Sequence, residues 1–561
     1  MNRLLGKITW DAAKGLPLEQ GADLFRNGEL ELRAERVHSF DFDPDAYFYN
    51  KDSRILCAMV GYLNNIDEIK GKYKFENKND VEIIERLFRL KGKAIPGELD
   101  GIFSVFIYDE NAQKAYLFQD EYGSSLPVYY ANSGKGLVFS TSLKAILKNI
   151  GTPRELNFAA VQDLLYFKTM IPNEATLIRG VSKLPPKRML EVDLKSGVVG
   201  TGSWAKDAEQ APLSRAKARL IGSIENNLSG IFKHLAVEKL ALTLSSGYDS
   251  NFILYALRKL TSKKIAAITI GGKEANEIPG ATLLASAHKD VAHNPKVIDS
   301  SIINSFPDIV WRTEGYVFEQ GLFLQYELSR TLAENNIQSL FVGECADQVL
   351  NTCRYSKYKL FREAIAGMVK RTFLGNLYYC FFKRKVVGML SMEPISGIKK
   401  LEHKSQYNVE FDYILKKNGI MLNSFGRQGL YVFINKETAA LSKALGKLNV
   451  GKGFYKEELK KIFPEAIRSG IAKGKIGGST DILYLFHRGE KEIAEILRSG
   501  FVKGLFSQAK IRKMQNNPGD YCILVFRIVY LYLFRELFIS GKYDPLFDQE
   551  GISFPLASFT S

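Results

Sequence analysis

Leu242-Thr243-Leu244-Ser245-Ser246-Gly247-Tyr248-Asp249-Ser250 is an apolar run that ends in small residues, one acid and a hydroxyl. Asn251-Phe252-Ile253-Leu254-Tyr255-Ala256-Leu257 follows at once and has the look of a helix. A strand that turns through side chains this small into a helix presents backbone N–H groups and a positive helix end to an anion, which is the physics of phosphate binding. The stretch points to a nucleotide. It is not the G-x-x-x-x-G-K-S/T loop, because no Lys follows the glycine. Around it, helix and strand alternate: helix 214–228, strand 240–244, helix 251–260, strand 265–270, helix 279–288, then strand 339–342. Such alternation predicts an α/β domain, a parallel sheet with helices on both faces and ligands at the carboxyl ends of its strands.

The first 200 residues have a different texture. Short segments at 55–63, 102–108, 115–119, 127–130 and 136–141 are separated by turn-prone residues such as Asp109-Glu110-Asn111 and Asn132-Ser133-Gly134. Helices are expected at 80–90, 142–148 and 158–166, so this part is an α+β, sheet-rich domain. Beyond Ala346 the chain reads as mostly helical, and no internal repeat is evident. With 561 residues, against about 150 per domain, two domains are expected, 1–205 and 206–561.

Composition narrows the partners. The chain is 46% apolar and 25% charged, the range of folded soluble proteins rather than disordered ones. Its five cysteines (Cys57, Cys345, Cys353, Cys380, Cys522) are odd in number and lack a C-x-x-C pair. That predicts neither a disulfide framework nor a zinc site, and a cytoplasmic setting. The N-terminus lacks the apolar segment of a secretory signal, so export by that route is not expected. The run 521–539 resembles a membrane span, but Arg527, Arg535 and Glu536 interrupt it, and a core helix is expected instead of a transmembrane segment. A net charge of +16 would suit a polyanion, yet Lys is spread along the chain. Its clusters, at Lys370-Arg371, Lys383 to Lys385 and Lys399-Lys400, are not interleaved with stacking aromatics, so no nucleic-acid partner is expected.

A second acidic loop follows a strand at Ser339-Leu340-Phe341-Val342-Gly343-Glu344-Cys345-Ala346-Asp347-Gln348. Opening beside the first, it would bring Asp347 and Asp249 to one mouth, a pair suited to Mg²⁺, which takes one or two carboxylates and completes its octahedron with phosphate oxygens and water. Taken singly, each loop serves equally well as a helix cap.

Together, and in this order, the two loops resemble the asparagine synthetase family, with its S-G-G-x-D-S and S-G-E-G-A-D-E motifs. Leu99-Asp100-Gly101-Ile102-Phe103-Ser104-Val105-Phe106-Ile107-Tyr108-Asp109 is similar to the family's L-D-G-x-F-A-F-x-x-x-D, residues 139–147 to its F-A-S-E-I-K-A-L-L, and Leu184-Pro185-Pro186 to its L-P-P-G. Asn276-Glu277 stand where the family has D-E. The resemblance implies an Ntn-hydrolase-like sandwich followed by a PP-loop synthetase domain with a helical C-terminal region.

The departures are informative. Glutamine-hydrolysing members begin Met-Cys, with the N-terminal thiol as nucleophile; here the first residues are Met1-Asn2, and Cys57 lies in an apolar strand. The family's N-G-E becomes Val60-Gly61-Tyr62 and its D-R-F-G becomes Asp120-Glu121-Tyr122-Gly123, although Asp80 keeps an aspartate. Ser246 replaces a glycine and Gln348 a glutamate. The first domain thus resembles a glutaminase without the activity, a property of ammonia-dependent asparagine synthetases, β-lactam synthetases and lasso peptide cyclases. Ile471-Ala472-Lys473-Gly474-Lys475-Ile476-Gly477-Gly478-Ser479, with Gly489-Glu490-Lys491 and a long helical tail, is similar in layout to the cyclases.

The resemblance implies a ligase that adenylates a carboxylate and passes the acyl group to an amine. Ser245, Ser246, Gly247, Asp249, Ser250 and Gly343 would cradle the ATP phosphates, Ile270 would lie by the adenine, and Asp249 and Asp347 would hold Mg²⁺. Glu344 would guide the amine's proton away. Lys475, or Lys473, would stabilise the tetrahedral intermediate. The substrate is a small-molecule or peptide carboxylate, with a precursor peptide and its leader protease as partners in the cyclase case. Intramolecular macrolactam formation in a peptide, of the lasso cyclase type, is the leading expectation; an ammonia-dependent asparagine synthetase or another small-molecule amide ligase, and an inactive nucleotide-binding scaffold, are the alternatives.

Overall fold

Strands Ile55–Leu63 and Gly101–Asp109 are buried along nearly their whole length because both of their faces are covered. Leu56, Ala58 and Val60 enter a core with Leu4, Ile8 and Leu32. Cys57 and Met59, on the opposite face, join Val81, Ile84 and Leu87 of helix Asp80–Lys91. The two strands centre a six-stranded antiparallel sheet ordered Val198–Ser203, Arg188–Asp193, Lys114–Gln119, Gly101–Asp109, Ile55–Leu63, Tyr47–Asn50. A seven-stranded antiparallel sheet, with Gly136–Ser140, Arg3–Thr9 and Leu30–Glu35 at its centre, faces it. Helix Leu143–Asn149 packs on the outer face of that sheet, and Phe158–Tyr166 joins the same core through Val161 and Leu164, against helix Pro518–Phe538. The result is a sandwich of helices, sheet, sheet and helices.

This computed structural model describes residues 1–9, 19–20, 24–27, 29–76, 79–132, 136–150, 154–166, 171, 174–204, 211–272, 277–350, 403–446, 451–471, 485–486, 488–547, 549 and 552–559.

The third sheet, that of the second domain, is five-stranded and wholly parallel, ordered Val291–Ile298, Ile265–Gly272, Leu240–Thr243, Ser339–Val342, Gln428–Tyr431. In chain order that is 3-2-1-4-5, so the direction of winding reverses between Leu240–Thr243 and Ser339–Val342. Helix Leu213–Lys233 covers this sheet with an apolar stripe of Ala216, Leu220, Ile224, Leu228 and Ile231 at helical spacing. Two strands of this sheet escape sequence reading, as do Arg3–Thr9, Leu30–Glu35, Tyr47–Asn50, Arg188–Asp193 and Val198–Ser203 of the first domain. Val291–Ile298 is an edge strand, mostly half-exposed, and carries Pro295 and Lys296, residues that blunt an open edge and read as loop. Gln428–Tyr431 is four residues long and sits in the region expected to be helical. Boundaries also move, and the helix expected at 214–228 runs Leu213–Lys233. The strand expected at 127–130 is Tyr129–Asn132, and helices expected at 251–260 and 279–288 are Tyr248–Leu260 and Ile278–Ser286.

The apolar run near the C-terminus is helix Pro518–Phe538, with Phe526, Val529, Tyr530 and Leu533 in a core shared with the first domain. Arg527 donates to the carbonyl of Leu165. Among the described residues, no helix is long and apolar enough to cross a membrane.

The two domains are joined by polar groups as well as by a continuous core. Ser39 and Ser339 share a buried hydroxyl bond of 2.7 Å. The buried Lys416, on helix His403–Ser424, donates to the carbonyls of Gly123 and Ser124. Gly419 on the same helix presses so closely on the first domain that an added Cβ would lie 2.0 Å from the Ser125 carbonyl oxygen. The contact demands glycine for space. Gly419→Ala is therefore expected to lower the unfolding free energy by about 1–3 kcal/mol, the usual cost of overpacking. Chemical denaturation monitored by tryptophan fluorescence measures it, and an unchanged midpoint would contradict the docking described.

Candidate functional site

In a doubly wound sheet a crevice opens where the winding reverses, at the carboxyl ends of the strands. Both sequence-predicted loops lie there. The first leaves Leu240–Thr243 and enters helix Tyr248–Leu260 through Gly247, in an extended conformation (φ −88°, ψ 165°) and without a side-chain cap. Such a helix start offers its N–H groups to an anion. The loop is braced from within. Ser250 Oγ accepts from the Ser245 N–H at 3.0 Å, and the Asn251 amide donates to the carbonyls of Ser245 and Gly247 at 2.9 and 2.7 Å. Asn251 is a structural residue of the loop that its motif alone does not reveal.

Ser246, standing for a glycine, takes no left-handed backbone conformation. Its side chain is buried, and the neighbouring helix makes room. A Cβ at Gly280 would lie 2.8 Å from Ser246 Cβ. The narrowed backbone freedom expected at Ser246 thus costs the loop nothing.

The second loop packs on the first. A Cβ at Gly343 would approach Ser250 N at 3.4 Å and Asp249 Cβ at 3.6 Å. The two acids converge on one cation that sequence reasoning missed. Lys452 Nζ lies 2.7 and 2.8 Å from the two carboxylate oxygens of Asp249 and 2.9 Å from Asp347 Oδ1. Lys452 is in the first turn of helix Gly451–Ile462, where a cation opposes the helix dipole. A lysine flanked by Gly451 and Gly453 at the unfavourable end of a helix was the available signal. Its ammonium also stands 5.6 Å from the ring of Tyr455. Burial, with Asp249 and Asp347 nearby, pushes that phenol well above its usual pKa.

Glu344 begins the turn beyond strand Ser339–Val342 and is half-buried. Its Oε2 is shielded from solvent without a hydrogen-bond partner among the described residues. Such an atom wants a donor. Cys345, next to it, is a non-glycine residue in the left-handed region (φ 69°) and is buried. Burial pushes its thiol well up. Ile270 is half-buried on the adjacent strand, two residues past Ile268, whose carbonyl accepts the Leu244 N–H at 2.9 Å. Lys473 and Lys475 lie outside the described residues, as does Asn276. No cluster of three or more His, Cys, Asp or Glu that would hold a metal occurs among the described residues.

In the first domain, the position expected to have lost its nucleophile is a rivet. Asn2 is buried, its backbone N–H donates to Asn423 Oδ1 at 2.7 Å, its side-chain amide donates to Gln428 Oε1 at 2.6 Å, and its Oδ1 accepts the Val37 N–H at 2.8 Å. Asp80 is closed off by a bidentate, fully buried pair with Arg36, 2.9 and 2.8 Å. Arg36 also donates to the Gly61 carbonyl at 2.8 Å. Tyr62 packs against Phe40 and accepts the Tyr431 N–H at 2.8 Å, so it belongs to the domain interface. Cys57 is a core residue whose burial pushes the thiol well above its ordinary pKa.

Comparison with known proteins agrees with this two-part architecture. A glutamine amidotransferase domain model matches residues 20–203, and an asparagine synthase model matches residues 233–409. Glutamine-hydrolysing asparagine synthetase 2 of Bacillus subtilis (strain 168) is 26% identical over 164 residues, covering 28% of this chain and 22% of that protein. Asparagine synthetase B, glutamine-hydrolysing, of Escherichia coli (strain K12) is 20% identical over 405 residues, covering 66% of this chain and 65% of that protein. The glutamine-hydrolysing asparagine synthetase of Zea mays is 30% identical over 106 residues, 18% of each chain. The chain spans less than two thirds of the length of each of these relatives.

Left-handed strain at Cys345 makes a test of the second loop. Glycine relieves the backbone and valine aggravates it, so Cys345→Gly is expected within about 1 kcal/mol of the parent stability and Cys345→Val at least about 2 kcal/mol below it. Equal destabilisation by both in thermal unfolding would contradict the conformation.

Proposed function

We propose, from the similarity of this chain to a glutamine amidotransferase domain over residues 20–203 and to asparagine synthase over residues 233–409, that it is an ATP-dependent carbon–nitrogen ligase of the asparagine synthetase family. In this reading it adenylates a substrate carboxylate, releases pyrophosphate, and passes the acyl group to an amine. The observation that carries the reading is the convergence of Asp249, Asp347 and Lys452 at the reversal of the sheet, beside an uncapped helix start. Small residues for close approach, a helix end for the phosphates and charges of both signs are what binding a triphosphate requires.

Each residue then has a task. Ser245, Ser246, Gly247 and Ser250 shape the cradle, and the second loop meets it at Gly343. Lys452, already ordered by two carboxylates, keeps an ammonium where negative charge grows as the α-phosphate is attacked. The residues present also suit Mg²⁺, which would take the place between the carboxylates that the Lys452 ammonium holds here and move that ammonium toward the phosphates. Asp249 and Asp347 both reach one cation, here an ammonium, and two carboxylates with phosphate oxygens are a magnesium donor set. Bound there, the ion would neutralise the departing pyrophosphate. The unpartnered oxygen of Glu344 would accept a hydrogen bond from the attacking amine and take its proton. Lys473 or Lys475 would serve the tetrahedral intermediate.

The amine, in this reading, does not come from glutamine. Asn2 is committed to the domain interface, Arg36 and Asp80 satisfy each other in a closed pocket, and Cys57 is buried. An amine within the same substrate, closing a macrolactam in a peptide as lasso cyclases do, is the acceptor we favour. The retained Glu344 also suits free ammonia, the second reading.

ATP–pyrophosphate isotope exchange, run with aspartate, other carboxylates and candidate precursor peptides, tests the reaction. Exchange dependent on one carboxylate is expected, and its absence with all of them would sink adenylation. Lys452→Met is expected to slow that exchange by about 100-fold or more, and Asp347→Ala to abolish it with the fold intact. No glutamate should form from glutamine in a coupled dehydrogenase assay.

A further inference from the structure

Thr269 on strand Ile265–Gly272 and Thr282 on helix Ile278–Ser286 approach one imidazole from two sides. Thr269 Oγ1 is 2.8 Å from His293 Nε2, and Thr282 Oγ1 is 3.2 Å from His293 Nδ1. Each hydroxyl also meets a carbonyl, Thr269 that of Leu244 at 2.7 Å and Thr282 that of Ile278 at 2.8 Å. A hydroxyl has one proton to give. If both hydroxyls gave theirs to the carbonyls, both ring nitrogens would have to donate and the ring would be an imidazolium.

The surroundings oppose that charge. Burial holds the His293 pKa below its ordinary 6.5. Neither the strand nor the helix that carries its partners has a titratable side chain. On its own strand, Lys296 is paired with Glu327 and Glu334 at 3.3 and 3.1 Å. A neutral ring has one donor and one acceptor, so one hydroxyl must turn to it. Thr282 is exposed, and the Ile278 carbonyl it would release is that of the residue four positions back in the same helix, which the helical backbone serves. Thr269 is buried, and the Leu244 carbonyl lies just past Thr243, the last residue of its strand paired with the strand of Thr269. Leaving that carbonyl unmet would cost more. The proton order is therefore Thr282 O–H to Nδ1, Nε2–H to Thr269 Oγ, and Thr269 O–H to the Leu244 carbonyl.

We propose that His293 is a positioning residue of the nucleotide loop, held as the Nε2–H tautomer in a directed hydrogen-bond relay that ties both neighbours of the loop together. One end of the relay fixes Leu244, the residue before Ser245. The other fixes helix Ile278–Ser286, whose Gly280 abuts Ser246. His293 acts on the phosphate cradle through these two supports, and the inference rests on the reading that the cradle binds ATP.

Equilibrium dialysis with radiolabelled ATP, on the full chain, tests it without any acyl substrate. His293→Gln keeps one acceptor and one donor in the relay and is expected to bind ATP within about twofold of the parent, whereas His293→Leu, which cuts the link between Thr269 and Thr282 and leaves the Thr269 oxygen without its donor, is expected to weaken binding about tenfold. Thermal unfolding separates loss of fold from loss of affinity. Should the Leu variant not fold, Thr269→Val removes the same link and is expected to weaken binding similarly. Nitrogen-15 NMR of histidine-labelled protein reads the tautomer directly. Equal ATP affinity of the Gln and Leu variants, or an Nδ1–H ring, would overturn the relay. Failure of the parent protein to bind ATP would overturn the proposed function instead.

Discussion

Two carboxylates brought to one point need a cation between them, and Asp249 and Asp347 have Lys452. Nearly everything in the second domain bears on that triad. Asp249 is delivered by the loop leaving the first strand of the sheet, Asp347 by the loop leaving the fourth, and they meet because the winding reverses between those two strands. Lys452 arrives about two hundred positions after Asp249 in the chain. Its helix start would repel a cation, and only the facing carboxylates make the placement favourable.

The two loops meet at Gly343, where an added Cβ would stand at ordinary contact distance from Asp249 and Ser250, whereas Gly280 must be small to admit Ser246. A serine replaces a glycine in the first loop without strain because the space it needs is conceded by the next helix. The second loop makes the opposite compromise. Cys345 stands where the family motif has glycine and is held in a left-handed conformation, the kind of local strain that surrounding structure must over-determine.

The first domain meets the second through buried polar groups. Arg36 and Asp80 neutralise each other, Asn2 reaches across to Asn423 and Gln428, and Tyr62 meets the backbone of Tyr431. Buried polar groups of this kind are costly unless met. Asn2 and Tyr62 are met across the boundary, and Arg36 is met within the first domain by Asp80 and the Gly61 carbonyl. That boundary is as much a part of the fold as either core.

Local chemistry was legible in the sequence. Small residues between a strand and a helix, an acid after each of two apolar runs, and alternating helix and strand depend on neighbours within a few positions, so residues 242–250 and 339–348 could be read directly. The strands 55–63 and 102–108 were legible because an apolar run buried on both faces needs no partner to be recognised. Strand Val291–Ile298 was not, since an edge position tolerates Pro295 and Lys296, and Gln428–Tyr431 was too short to stand out from helices. Lys452 left only the faint signal of a lysine between two glycines, and the relay through His293 and the rivet at Asn2 left none. Each is defined by atoms far apart in the chain, and it is the parallel register of the sheet and the docking of the domains that bring those atoms within hydrogen-bond distance.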